Sequence, residues 1–145
     1  MARTPLGGEH YLHDNNVWRI VHSSRATGDI LVENITSGVV WVVNYDTFKH
    51  GFKRVWKVGD VAQFLGRSPR SIYRYERAGH IKEPMRKADG SKRAIRFYTK
   101  EDVLEIHETI SEIHQGRPRH DKRVVNNTMP SRYELTRMFR ERFGI

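Results

Sequence analysis

Four arginines and two tyrosines crowd one short stretch, Arg67-Ser-Pro-Arg-Ser-Ile-Tyr-Arg-Tyr-Glu-Arg77, and their spacing is the first chemical signal in the chain. At about 100° per helical residue, Arg70, Arg74 and Arg77 fall within about 60° of one another. Tyr73 flanks them, whereas Ile72 and Tyr75 point the opposite way. A planar guanidinium suits bidentate bonds to phosphate or to guanine O6 and N7. The pattern therefore predicts a helix with one core face and one face (Arg70, Arg74 and Arg77 with Tyr73 at its edge) that meets a polyanion, with Arg67, Ser68 and Ser71 at its start as further expected contacts.

The theme repeats downstream. Arg86, Lys87, Lys92, Arg93 and Arg96 surround Asp89-Gly90, a strong hairpin signal between two potential strands. A basic hairpin lying along a nucleic-acid backbone supplies contacts that position a protein without reading sequence. Further on, Gly116-Arg-Pro-Arg119 resembles the core of an AT-hook, whose arginines enter a narrow minor groove. A plain basic linker is the alternative reading of Arg117 and Arg119.

Other chemistries find little support. The chain has no cysteine, which removes disulfides, thiolate metal sites and cysteine nucleophiles. His107 and His114 lie two helical turns apart, about 10.5 Å, too far to share one ion. No phosphate-loop glycine pattern, nucleophile elbow or carboxylate pair is present. We expect no enzyme activity, no cofactor and no metal.

Charge places the partner more firmly. The 145 residues carry 26 Lys and Arg against 17 Asp and Glu, a net +9. Residues 1–55 hold 6 basic and 5 acidic side chains, and residues 56–100 hold 12 and 4. Residues 101–115 hold 0 and 5, and residues 116–145 hold 8 and 3. A charge serving only solubility would not segregate in this way, so double-stranded DNA is the expected partner. No apolar run approaches the ~18 residues of a membrane span. The expectation is a soluble, cytoplasmic, DNA-associated protein with no membrane partner.

These side chains need elements to carry them. Residues 1–8 read as a flexible arm. Residues 9–55 carry three β runs, Val17–Val21, Ile30–Ile35 and Val39–Val43, separated by Thr27-Gly-Asp29 and Thr36-Ser-Gly38. With the aromatic stretch Tyr45…Phe48…Phe52 they predict a small β-meander closing into a barrel, with Trp18 and Trp41 in its core or rim.

Residues 56–115 turn helical. Val58, Val61, Ala62 and Leu65 mark a first helix ended by Gly66. Ser68 caps a second, with Pro69 at its first position, running to about Ala78 and stopped by Gly79. The hairpin 85–98 follows. Thr99 opens a third helix to about His114, with Val103, Leu104, Ile106, Ile110 and Ile113 on its apolar side. Val58, Val61, Leu65, Ile72, Tyr75, Ile81, Phe97, Tyr98 and Leu104 are the expected core. Residues 116–130 form a basic linker. In 131–145, Ser131-Arg-Tyr-Glu134 is a capping box for an amphipathic helix with Leu135, Met138 and Phe139 as its stripe. The expected class is α+β.

Trp56-Lys-Val-Gly-Asp-Val-Ala62, Leu65-Gly66, Ser68-Pro69, Tyr75-Glu76, Gly79-His-Ile81 and Arg96-Phe-Tyr-Thr-Lys-Glu-Asp102 resemble the MerR-like winged helix-turn-helix domain and its excisionase-like relatives. The likeness covers about 55–60 residues. It implies a DNA-binding fold whose second helix enters the major groove while the hairpin, the wing, contacts phosphates. Before Tyr75-Glu76 the family has Arg then an aromatic, where this chain has Tyr73-Arg74, and His80 stands at a usual leucine. Regulators of this family also carry a long dimerising helix and an effector or metal domain after the third helix; here that helix is expected to end near Gly116 and there is no cysteine, so effector sensing is not implied. The β segment resembles a Tudor- or KOW-type barrel in strand pattern.

The resemblance implies a phage- or mobile-element-type transcription regulator. An architectural or excisionase-like recombination factor stays open beside it. So does an adaptor that binds a host or phage protein through the β domain or the C-terminal helix. Homo-oligomerisation is also left open.

Overall fold

The computed structural model describes residues 5–90, 93–115 and 129–145. It is a mixed α+β structure. An antiparallel sheet of β1 (His10–His13), β2 (Asn16–Ser23), β3 (Asp29–Asn34), β4 (Val40–Asn44) and β5 (Lys53–Val55) has the order β4-β3-β2-β1-β5. Helix α1 (Tyr45–Gly51) lies between β4 and β5 in the chain.

Alternation gives the sheet two apolar faces. Trp18, Ile20, Ile30, Val32 and Val43 line one face and are buried against Phe48 and Phe52. Val17 and Val55 lie on the other, with Leu12 and Ile35 packed beside them.

The expected barrel does not close. The sheet is open, with β4 and β5 at opposite edges. The reason lies in Tyr45…Phe48…Phe52, which the sequence reading assigned to the β unit. Asn44 caps a helix there, its side chain accepting from the Thr47 N–H at 2.8 Å. That helix lays aromatic rings on the sheet, so a helical lid covers the face that barrel closure would have covered.

Beyond the sheet come α2 (Val58–Phe64), α3 (Pro69–Arg77), the hairpin β6 (Met85–Ala88) and β7 (Ala94–Phe97), α4 (Lys100–Gln115) and α5 (Arg132–Phe143). Both short helices stop in the same manner. Gly66 and Gly79 sit at φ 63° and 78°, which lets the Arg67 N–H reach Ala62 O at 2.8 Å and the His80 N–H reach Tyr75 O at 3.0 Å. At α4, Thr99 and Asp102 exchange side-chain bonds to each other's backbone N–H at 3.2 and 3.0 Å.

Val61, Leu65, Ile72, Ile81, Tyr98, Val103, Ile106 and Ile110 form the helical core, with Val58, Tyr75 and Leu104 partly buried at its margin. The Ser131 cap forms at 3.1 Å, and α5 drives Leu135 and Phe139 into the same core against Trp56 and Phe64. Phe97 belongs elsewhere. It joins Val17 and Val55, with Met85 and Ile95, so the hairpin packs onto the back of the sheet. The main chain joins the same two parts where Trp56 and Tyr98 exchange hydrogen bonds at 2.9 and 2.8 Å.

Candidate nucleic-acid interface

Helix α3 is anchored by what it buries. Ile72 is fully buried, Tyr75 packs at the core margin, and the opposite face is left to solvent. Ser68 accepts from the Ser71 N–H at 3.2 Å, and the two hydroxyls bond each other at 3.0 Å, so both serines are occupied in starting the helix. On the outer face Arg70, Tyr73, Arg74 and Arg77 line a shallow recess. Among the described residues, Arg70, Arg74 and Arg77 are exposed and take part in no ion pair. Arg67 sits half-buried in the turn before α3 and donates to Gly66 O at 3.4 Å.

The one acid of this helix is turned away from that face. Glu76, with its side chain 12% exposed, accepts from Arg86 at 2.9 Å and from Arg96 Nε at 3.0 Å. Arg86 also pairs with Glu83 at 3.0 Å, and the Arg96 guanidinium lies over the Tyr73 ring at 4.7 Å. Hydrogen bonding to Glu76 holds the Arg96 guanidinium above its usual pKa.

Arg86 and Arg96 are directly opposite in the β6–β7 register, a like-charge pair that would repel without a carboxylate between them. Glu76 thus clamps the hairpin to α3. Sequence reading quoted Tyr75-Glu76 as a motif but gave Glu76 no task. The strand period carried the missing signal, because residues 86 and 96 share a hairpin face.

The same alternation divides the predicted hairpin set. Lys87 lies on the opposite face from Arg86, half-buried, and among the described residues it has no ion pair. Arg93 is exposed near the hairpin turn. Lys92, Arg117 and Arg119 lie outside the described residues. The structure thus brings Arg70, Arg74, Arg77 and Tyr73 together as one surface and gives Arg86 and Arg96 to its support.

Sequence reading also missed an exposed apolar strip on β4, since an unbroken run of Val and Trp does not show which residues face out. Among the described residues no set of three His, Asp or Glu could hold a metal ion, and no helix is long and apolar enough to cross a membrane. No family model matches this chain, and neither a curated protein nor a solved structure shows significant similarity to it.

Proposed function

We propose that this chain binds double-stranded DNA through a winged helix-turn-helix of the MerR-like kind, with α2 and α3 as the helix pair and β6–β7 as the wing. The observation that carries the reading is the outer face of α3. Among the described residues the three exposed arginines there have no acidic partner, and the one acid of the helix is held to the hairpin instead. A helix diameter of ~10–12 Å matches the ~12 Å major groove, where arginine pairs with guanine or phosphate. Arg70, Arg74, Arg77 and Tyr73 make the groove contacts, Lys87 and Arg93 reach the backbone, and Glu76 with Arg86 and Arg96 sets the angle between helix and wing. Regulation of transcription at a defined site is the role this arrangement supports, and an intracellular, DNA-associated location follows from it.

The test is selection from a random duplex pool at about 150 mM salt, repeated with Arg74→Ala. Enrichment of a motif that Arg74→Ala relaxes, with a loss of about 1–3 kcal/mol at the preferred site, is the expected result. Retention without enrichment would make the protein an architectural factor. No retention at all would overturn the DNA reading.

A further inference from the structure

The five-stranded sheet has two edges, and they are treated differently. β5 is three residues long and carries Lys53 and Arg54, with Lys53 ion-paired to Glu101 at 3.0 Å. Brevity and charge are the devices by which natural sheets blunt an edge against pairing. β4 has neither. Val39-Val-Trp-Val-Val-Asn44 contains no charge and no proline, and Val39, Val40, Trp41 and Val42 are 47, 50, 47 and 68% exposed.

The main chain of this edge is also available. The Asn34 N–H bonds Val39 O at 2.8 Å and the Tyr45 N–H bonds Gly28 O at 2.9 Å. With Val32 opposite Trp41 and Ile30 opposite Val43, these fix the hydrogen-bonded positions of β4 as Val39, Trp41 and Val43. Val40 and Val42 therefore direct N–H and C=O away from β3. Among the described residues no other strand or loop pairs with them.

We propose that β4 pairs edge to edge with β4 of a second copy of this chain, antiparallel, about a two-fold axis at Trp41. In this register Val40 faces Val42 of the second copy and Val42 faces its Val40, so the four outward groups of Val40 and Val42 are satisfied. On one sheet face Val40 and Val42 of both copies come together. On the other, the two Trp41 rings meet across a non-hydrogen-bonded pair, each already stacked on Trp18 of its own chain at 4.3 Å. A two-fold contact of this kind needs one self-complementary patch, and β4 is such a patch.

Charge favours a copy of the same chain. No like charges face each other along the strand. The copies also meet through the part that carries 6 basic and 5 acidic residues, away from the 12 and 4 of residues 56–100. Burying the β4 strip on both copies removes on the order of 800 Å² from water, below the ~1,200–2,000 Å² of a stable interface. The free dimer is therefore weak and dissociates on dilution. The inference does not rest on the DNA-binding reading, and its test contains no nucleic acid.

The test is sedimentation equilibrium of the full chain from about 10 µM to about 1 mM. The apparent mass should rise from one chain's 17.1 kDa toward twice that value. Val42→Lys, at a position outside the core clusters, should hold it at one chain. Because the chain has no cysteine, Trp41→Cys adds a single thiol whose two copies would sit about 4.5 Å apart at Cα, within disulfide reach. In Val39→Cys they would be roughly 14 Å apart. Under mild oxidation Trp41→Cys should give covalent dimer at least tenfold faster than Val39→Cys. Equal rates in these two variants, a concentration-independent single-chain mass, or wild-type association in Val42→Lys would each overturn the proposal. Should Trp41→Cys not fold, the Val42→Lys comparison decides alone.

Discussion

His10 shows how a single side chain records the meeting of sheet and hairpin. It sits on β1 opposite Arg19 and Val55, with its ring 5.3 Å from that of Phe97. Burial, aided by the cations Lys57, Arg54 and Arg19, pushes its pKa down from 6.5 to about 4. Above pH 6.5 the ring is neutral whether the chain is folded or not, so the contribution is fully present there. As pH falls below 6.5 the unfolded chain takes up the proton first, and stability is lost until about pH 4, where the folded ring protonates as well. After discounting for the solvent that still reaches this half-buried ring, the loss is about 1–2 kcal/mol. Thermal melts between pH 7 and 4 should show a decline that is shallower in His10→Gln. Parallel pH profiles of the two proteins would remove His10 as the titrating group.

At the scale of elements, the clamp between α3 and the hairpin makes the strongest demand. Glu76→Gln keeps the shape but takes the carboxylate from Arg96 and leaves Arg86 only the exposed Glu83. A buried pair broken on one side costs ~3–5 kcal/mol, but Arg86 here keeps 38% side-chain exposure, so about 1–2 kcal/mol is expected. That is a fall in Tm of roughly 3–6 °C for a chain of this length. DNA affinity discriminates further. Added positive charge alone would strengthen binding, whereas a hairpin released from α3 should weaken it, and weakening is the expected outcome.

The elements themselves were unevenly legible. Ser68-Pro69, Gly66, Gly79, Asp89-Gly90 and the Ser131 box are local signals with local causes, and each sits where the structure starts, turns or ends an element. Barrel closure depends on which edges meet, and no local signal encodes that. Tyr45, Phe48 and Phe52 stand at i, i+3 and i+7, a helical spacing hidden by their place between β runs. The short β1 and β5, of 4 and 3 residues, are strands because they pair with each other, and their own patterns are too brief to announce it. At the candidate interface the arginine face was legible from helical period alone. The pairing of Arg86 and Arg96 with Glu76 required tertiary contact.

For the whole molecule, the two readings meet in one number. On the DNA-binding reading proposed above, a single helix-turn-helix would read few base pairs, and dimeric helix-turn-helix proteins bind two half-sites about one helical turn apart. The Thr36 hydroxyl donates to Ala88 O at 2.6 Å, so the β3–β4 turn touches the hairpin. Antiparallel pairing of two β4 strands places those turns, and with them the two hairpins, at opposite ends of the shared strand pair. On the reading proposed above one copy brings Arg70, Arg74, Arg77, Lys87 and Arg93 to the duplex, which gives a slope of log K against log salt of roughly −4.5. Two copies on one duplex give roughly −9. Val42→Lys, by separating the copies, should return the slope to about −4.5 and shorten the protected DNA to one half-site. The added lysine would act in the other direction, steepening the slope if it reached phosphate. A shallower slope in Val42→Lys thus reports loss of the second copy, and an unchanged slope with a full-length footprint would place the dimer contact away from β4.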